Sequence, residues 1–259
     1  MMIDANAYLG HFAFRQLRHN TGPGLTRLMD RFGIQRAVVS SAASITYRNP
    51  QPGNEELAAE VKADRGRLIP FAVLSPVYAG WRDDLKTCHE QFGMKGVRLY
   101  PGWHKYALTD PRCRELVNAA AERRMVVAIP VRVEDRRQQG WLIDIPDVEL
   151  DDIAALIRAC PNARFLVQNA AGVAGSALGG AKLPANFAVD TARLTVEFGN
   201  DLARTIQVLG EDRVLFGTGM PFHYPGPALT RLEMLEAPGA VKEKLRSKNA
   251  ERWLGLSPA

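Results

Sequence analysis

Eight short apolar runs, separated by longer segments of helical periodicity, recur from one end of the 259-residue chain to the other. They are MMIDANAY (1–8), RAVVSSA (36–42), RLIPFAVLS (67–75), KGVRLYP (95–101), MVVAIPV (125–131), ARFLVQNA (163–170), NFAVDTA (186–192) and DRVLFGTG (212–219). Most lack the strict apolar–polar alternation of a strand with one wet face. They read instead as parallel strands covered on both sides. Eight such βα repeats in a chain of this length predict an α/β fold, a (β/α)8 barrel with an extra C-terminal helix, formed as one domain over 1–259. An open doubly wound sheet is the alternative. It would carry a glycine-rich phosphate loop after the first strand, and none is there.

The intervening segments carry helix punctuation. Asn54 reads as the N-cap of NEELAAEVKADRG, and Asp110 caps a helix with Pro111 at its first position. WRDDLKTCHEQFG ends at Gly93, while GLTRLMDRFG, LDDIAALIRACP, LTVEFGNDLARTIQVLG and a pair around 226–254 complete the set. Only GVAGSALGGAKLPA, after the sixth run, reads as loop. Its glycines lack the Lys-Ser/Thr of a phosphate-binding loop.

Thirty-three basic residues face twenty-eight acidic ones, for a formal net charge of +5. The basic residues are scattered, with pairs such as Arg123/Arg124 rather than tracts, so a nucleic-acid partner is not expected. No run is long enough for a membrane span, and no basic-then-apolar leader is visible. Cys88, Cys113 and Cys160 form neither a disulfide framework nor a CxxC pair, which points to a reducing compartment and a cytoplasmic protein.

Five segments, in order, resemble motifs of one family. MIDANAYLG is similar to an "IDxHxHxG" opening, KGVRLYP to "KGVRLHP", ARFLVQNAAG to "VVLAHxGG", RVLFGTGMPF to "RLLFGSDYP", and SKNAERWLGL to a closing "NAxRLFGL" helix. These belong to the amidohydrolase-related metal-dependent hydrolases, the branch of the amidohydrolase superfamily that includes the amino-carboxymuconate-semialdehyde decarboxylases. The resemblance implies a barrel with a divalent metal at its mouth. Two His from strand one, one His from strand five and an Asp from strand eight would hold it, with an assisting His on strand six. Here those positions are Asn6 and Tyr8, about Pro130, Gly219 and Asn169. Proline and glycine offer no side-chain donor, and an amide is a poor ligand beside imidazole and carboxylate. No cofactor is therefore expected. A divalent metal such as zinc would need a rebuilt ligand set, for which His11, His223 and Asp190 are the candidates.

With Asn6 pointing inward, alternation along each strand orients the rest. It brings Asp4 and Tyr8 inward on strand one, Arg98 and Tyr100 on strand four, and Arg132 with Pro130 on strand five. The expected substrate-binding residues are Asn6, Tyr8, Arg98, Tyr100 and Arg132, and the expected catalytic ones Asp190, His223 and Asn169. Two inward guanidinium groups suit a carboxylated or otherwise anionic small molecule. Asp190 or His223 would move a proton, and Asn6 and Asn169 would bond the reacting carbonyl. Trp103 and Trp141 are lid candidates. Asp4, low on strand one, is expected to be structural. Three readings stay open: a metal-independent hydrolase or lyase, a binding or regulatory protein without chemistry, and a metal-dependent hydrolase with rebuilt ligands. A homodimer through outer helices is compatible with each.

Overall fold

The computed structural model describes residues 1–64, 66–180, 183–193 and 200–256. Its eight strands are β1 (Ile3–Leu9), β2 (Arg36–Ser41), β3 (Leu68–Val73), β4 (Gly96–Arg98), β5 (Val126–Pro130), β6 (Arg164–Gln168), β7 (Phe187–Asp190) and β8 (Val214–Leu215). They pair in parallel in chain order from β1 to β8. The ring closes through Ala5 N–H to the Phe216 carbonyl at 2.8 Å, Gly219 N–H to Asn6 O at 2.8 Å and Tyr8 N–H to Met220 O at 2.9 Å. Each apolar run of the sequence supplies one strand, and the fold is the (β/α)8 barrel that the alternation implied.

Helices α1 (Gly22–Arg31), α2 (Gln51–Lys62), α3 (Trp81–Glu90), α4 (Pro111–Glu122), α5 (Leu150–Ala159), α6 (Asp201–Leu209) and α7 (Gly226–Met234) follow strands one to five, seven and eight. The segment after β6 holds two short 3-10 turns, as its loop character suggested. The helix expected over LTVEFGNDLARTIQVLG is described only as α6; its residues 194–199 lie outside the described residues. Asp110 caps α4 as expected, its side chain accepting from Arg112 N–H.

Asn54 is not the cap of α2, which begins at Gln51 beside two prolines. It sits one turn inside the helix, where its amide bonds both backbone groups of Val73 at 2.8 and 2.9 Å. A buried amide that satisfies a strand end is worth more there than at a wet helix terminus.

Inside the barrel, Ile3, Ala5, Phe71, Ala128, Leu166 and Leu215 pack together. The helix α8 (Gly239–Glu243) runs on through a wide turn into α9 (Asn249–Leu254), whose Ala250, Trp253 and Leu254 join that interior cluster. Removing the Trp253 side chain would cost on the order of 3–5 kcal/mol. The strand register slips between Asp4 and Ala7. Strict alternation on β1 therefore fails: Ile3 and Ala5 pack in the barrel core, whereas beyond the slip Asn6 and Tyr8 reach the site. Asp4 braces the bulge, accepting Asn6 N–H at 2.8 Å and Thr218 N–H at 3.0 Å. Gln168 Nε2 donates to Ala5 O at 2.7 Å across the same bulge. Among the described residues no helix is long and apolar enough to cross a membrane, and all three cysteines are buried and unpaired.

Candidate functional site

Asp190 ends β7, and Asn169 follows β6 in a left-handed conformation, φ 53°. That backbone turn, tolerated by asparagine, directs Asn169 N–H at Asp190 Oδ1, 2.9 Å away. Ala192 N–H also reaches Oδ1, at 3.2 Å, and Asn6 Nδ2 reaches Oδ2 at 2.7 Å. Asn6 Nδ2 donates its other hydrogen to Asn169 Oδ1 at 3.0 Å, and Asn169 Nδ2 donates to Arg132 O at 2.8 Å. Burial pushes the Asp190 carboxyl up to about 6, against the hydrogen bonds from Asn169, Asn6 and Ala192 and the Arg98 charge. Asp4, below it, is pushed up to about 7 by burial, against its bonds to Thr218 and Asn6.

Arg98 ends β4 and is fully buried. It donates Nη1 to Ala7 O at 3.2 Å, and its guanidinium carbon lies 4.5 Å from the Tyr8 ring centroid. Its Nε and Nη2 have no hydrogen-bond partner. A cation–π contact is worth up to about 2 kcal/mol, well short of what desolvating a guanidinium costs. Around it the Tyr8 and Tyr100 hydroxyls, Asn6 Oδ1, Ser40 Oγ and Gln168 Oε1 are buried without a hydrogen bond of ordinary geometry. Burial pushes the pKa of both tyrosines above the ordinary phenol value, so they stay neutral donors.

Loops cover this polar centre. Phe12 and Leu17 after β1, Ile45 after β2, Val133 after β5 and Phe222 after β8 pack on Tyr8 and Tyr100. Phe222 meets both Tyr8 and Phe12 edge-on at 4.9 Å, and Phe12 stands 5.8 Å from Trp103. Arg15 ties the loops together. It donates to Gln138 Oε1 at 2.7 Å and to Phe222 O at 3.1 Å, and pairs with Glu134 at 3.5 Å. Beside Tyr100 and Pro130 remains a cavity of about 20 Å³, enough for roughly one water.

Six of the eight expected residues gather here: Asn6, Tyr8, Arg98, Tyr100, Asn169 and Asp190. His223 lies next to them against Gly219, where a Cβ would fall 2.6 Å from its Cδ2 and 3.5 Å from Asn169 Oδ1. Burial, and after it the Arg15 charge, lowers its basicity. The Arg132 side chain turns away to the rim, because β5 ends at Pro130 and the chain beyond is loop. There it forks onto Asp147, with Nε at 2.9 Å. Trp103 belongs to the cover, whereas Trp141 is 92% exposed. Sequence reasoning missed Ser40 and Gln168 in the centre and Phe12, Arg15 and Phe222 in the cover. Aromatic residues just past two strand ends were the only available signal.

A divalent metal does not fit these residues. The donors at the implied positions are two amides and a phenol, Pro130 adds none, and the ring of His223 occupies the space above Gly219. His11 is exposed in a groove between α1 and α2, so His11, His223 and Asp190 are not brought together. The described residues contain no group of three or more His, Cys, Asp or Glu able to hold a metal ion.

Solved structures share the fold at low identity. A 2,6-dihydroxybenzoate decarboxylase in complex with 2,6-dihydroxybenzoate aligns over 98% of this chain and 99% of its own, at 18% identity and a TM-score of 0.71. The 5-carboxyvanillate decarboxylase of Sphingomonas paucimobilis aligns over 99% of each chain, at 15% identity and 0.71. A dihydroxybenzoic acid decarboxylase of Polaromonas, with bound manganese and an inhibitor, covers 91% of this chain and 86% of its own, at 17% and 0.67. No curated protein matches in sequence. The amidohydrolase family model matches residues 13–256, and the chain belongs to that family.

Proposed function

We propose that the protein binds a small carboxylic acid against Arg98, beneath the aromatic cover, and acts on it as a hydrolase or lyase without a metal. The observation that carries this is the unpaired Arg98: a buried guanidinium with two free nitrogens, flanked by two neutral tyrosine hydroxyls. A carboxylate accepts from such a fork bidentately and removes the unbalanced charge. Asn6 Oδ1 and Ser40 Oγ, equally unpaired, add polar contacts for the rest of the ligand.

Asp190 is the proton carrier in this reading. A carboxyl near 6 exchanges protons readily around neutral pH. Decarboxylation, the reaction of the fold relatives, leads the lyase options. The bond between carbon and carboxylate breaks, CO2 leaves, and the carbon takes the proton of protonated Asp190. A reducing compartment suits the three unpaired thiols.

One observation favours a second reading, in which the pocket binds but does not react. Three donors already hold the Asp190 carboxylate, which leaves it little freedom to deliver a proton.

A thermal-shift panel of small carboxylic acids, followed by turnover assays on those that stabilise, tests both. Binding that Arg98→Met removes supports the pocket, and retained binding overturns it. Turnover governed by an apparent pKa near 6 and abolished by Asp190→Asn supports the enzyme. Binding without turnover leaves the second reading.

A further inference from the structure

Three guanidinium groups meet one carboxylate at the barrel mouth. Arg132 donates both Nε and Nη2 to Asp147 Oδ2. Arg136 Nε lies 3.4 Å from Asp147 Oδ1, and Arg193 Nη1 lies 3.7 Å from Oδ2. They come from the β5 loop and from the chain just beyond β7. Asp135, on the same loop, is engaged by Arg137. Three positive charges on one negative charge leave about two uncompensated, and the setting is partly dry. Arg132 is 14% exposed and Arg193 29%. Burial, and then the Arg132 charge, makes Arg193 easier to deprotonate than a free guanidinium. Arg136 and Arg193 donate no hydrogen bond to any described group, and both reach solvent.

We infer that Arg132, Arg136 and Arg193 form a rim site for a doubly charged oxyanion, a phosphate or a dicarboxylate, in which Asp147 stands in as an internal counter-ion. The oxyanion's further acceptor oxygens would meet the N–H donors of Arg136 and Arg193 that Asp147 leaves unused. A monoanion would leave one guanidinium without a partner. Arg132 also lines the small cavity beside Tyr100, so the rim site abuts the buried one without depending on it.

The test is calorimetric titration of the full chain with inorganic phosphate, succinate, acetate and chloride at matched ionic strength. Saturable binding of phosphate, succinate or both, stronger than acetate, is expected. Phosphate alone indicates a phosphorylated ligand, and succinate alone a dicarboxylate. Arg193→Gln and the more exposed Arg136→Gln should each weaken binding about fivefold or more. Asp147→Asn should tighten it, because it removes the internal competitor. That gain separates a ligand site from a structural ion cluster, where losing the carboxylate could only do harm. Arg98→Met should leave the affinity within about twofold. Absence of saturable dianion binding, indifference to Arg193→Gln, weaker binding in Asp147→Asn, or loss in Arg98→Met would each overturn the inference.

Discussion

The imidazole of His223 packs so closely on Gly219 that a Cβ added there would lie 2.6 Å from its Cδ2. Gly219 also has φ 75°, a conformation that L side chains adopt at a cost. The position where the family resemblance implies an aspartate is thus closed by backbone geometry and by a neighbour. Gly219→Asp should destabilise the protein by about 2–4 kcal/mol, from left-handed strain plus overpacking. It should not confer zinc binding, because Asn6, Tyr8 and Asn169 remain amides and a phenol. Urea denaturation and metal analysis after dialysis against zinc check both halves. One equivalent of tightly held zinc in the variant would show that a single carboxylate suffices.

Arg98 is the costliest side chain in the site. With one backbone hydrogen bond and a ring contact, it carries a desolvated charge that no carboxylate balances within ion-pair distance among the described residues. Arg98→Met keeps the length and removes the charge. The ligand-free variant should be more stable by about 1–3 kcal/mol, as replacements of buried charges by apolar groups often are. Stability gained as carboxylate binding is lost is the signature of a residue kept for function. A variant destabilised by a comparable amount would mean that Arg98 is structural.

The apolar runs made the barrel legible, since every one of them became a strand. The six central residues were legible too: motif position singles out Asn6, Tyr8 and Asn169, alternation orients Arg98 and Tyr100, and Asp190 lies at the end of its apolar run. Two failures share one physical cause: alternation holds only while the strand does. On β1 a bulge shifts the phase between Asp4 and Ala7. On β5 the strand stops at Pro130, and Arg132 already belongs to the loop. Its partner Asp147, fifteen residues on, follows from loop geometry that no local pattern encodes. The cover was illegible for the same reason, as Arg15 meets Phe222 across 207 residues of chain.

Asp4 and Asp190 give stability a definite pH slope. Both carboxyls sit above the unfolded value, Asp4 at about 7 and Asp190 at about 6. A carboxyl raised in this way holds more protons folded than unfolded, so its contribution is complete below about pH 4 and is lost as pH rises towards the folded value. Unfolding free energy should fall by about 4 kcal/mol between pH 5 and pH 7.5, each pKa unit being worth ~1.4 kcal/mol. Asp4→Asn keeps an acceptor for the Asn6 and Thr218 N–H groups and removes the titration. Its slope over the same interval should be about a third that of the parent. An unchanged slope would show that Asp4 ionises normally.

Arg15 governs access to the buried centre. With Arg98, Tyr8 and Asp190 fully enclosed, a ligand reaches them only if the loops after β1 and β8 part. Arg15 holds both, through Phe222 O and the ring beneath it, and anchors them on Gln138 and Glu134. Glu134 is 1% exposed, and burial raises its carboxyl above the ordinary range, against the pull of Arg15. Arg15→Ala frees the loop and strands that carboxylate. Amide hydrogen exchange over residues 11–18 should accelerate about tenfold or more, while exchange in β5 and β6 stays unchanged. Association of a carboxylate ligand should quicken, since the closed state no longer dominates. Adding Glu134→Gln to Arg15→Ala should recover part of the lost stability, because the stranded charge is gone, without slowing the loop exchange. Recovery of slow exchange would instead mean that the Glu134 charge, and not the loss of the Arg15 tether, opens the cover.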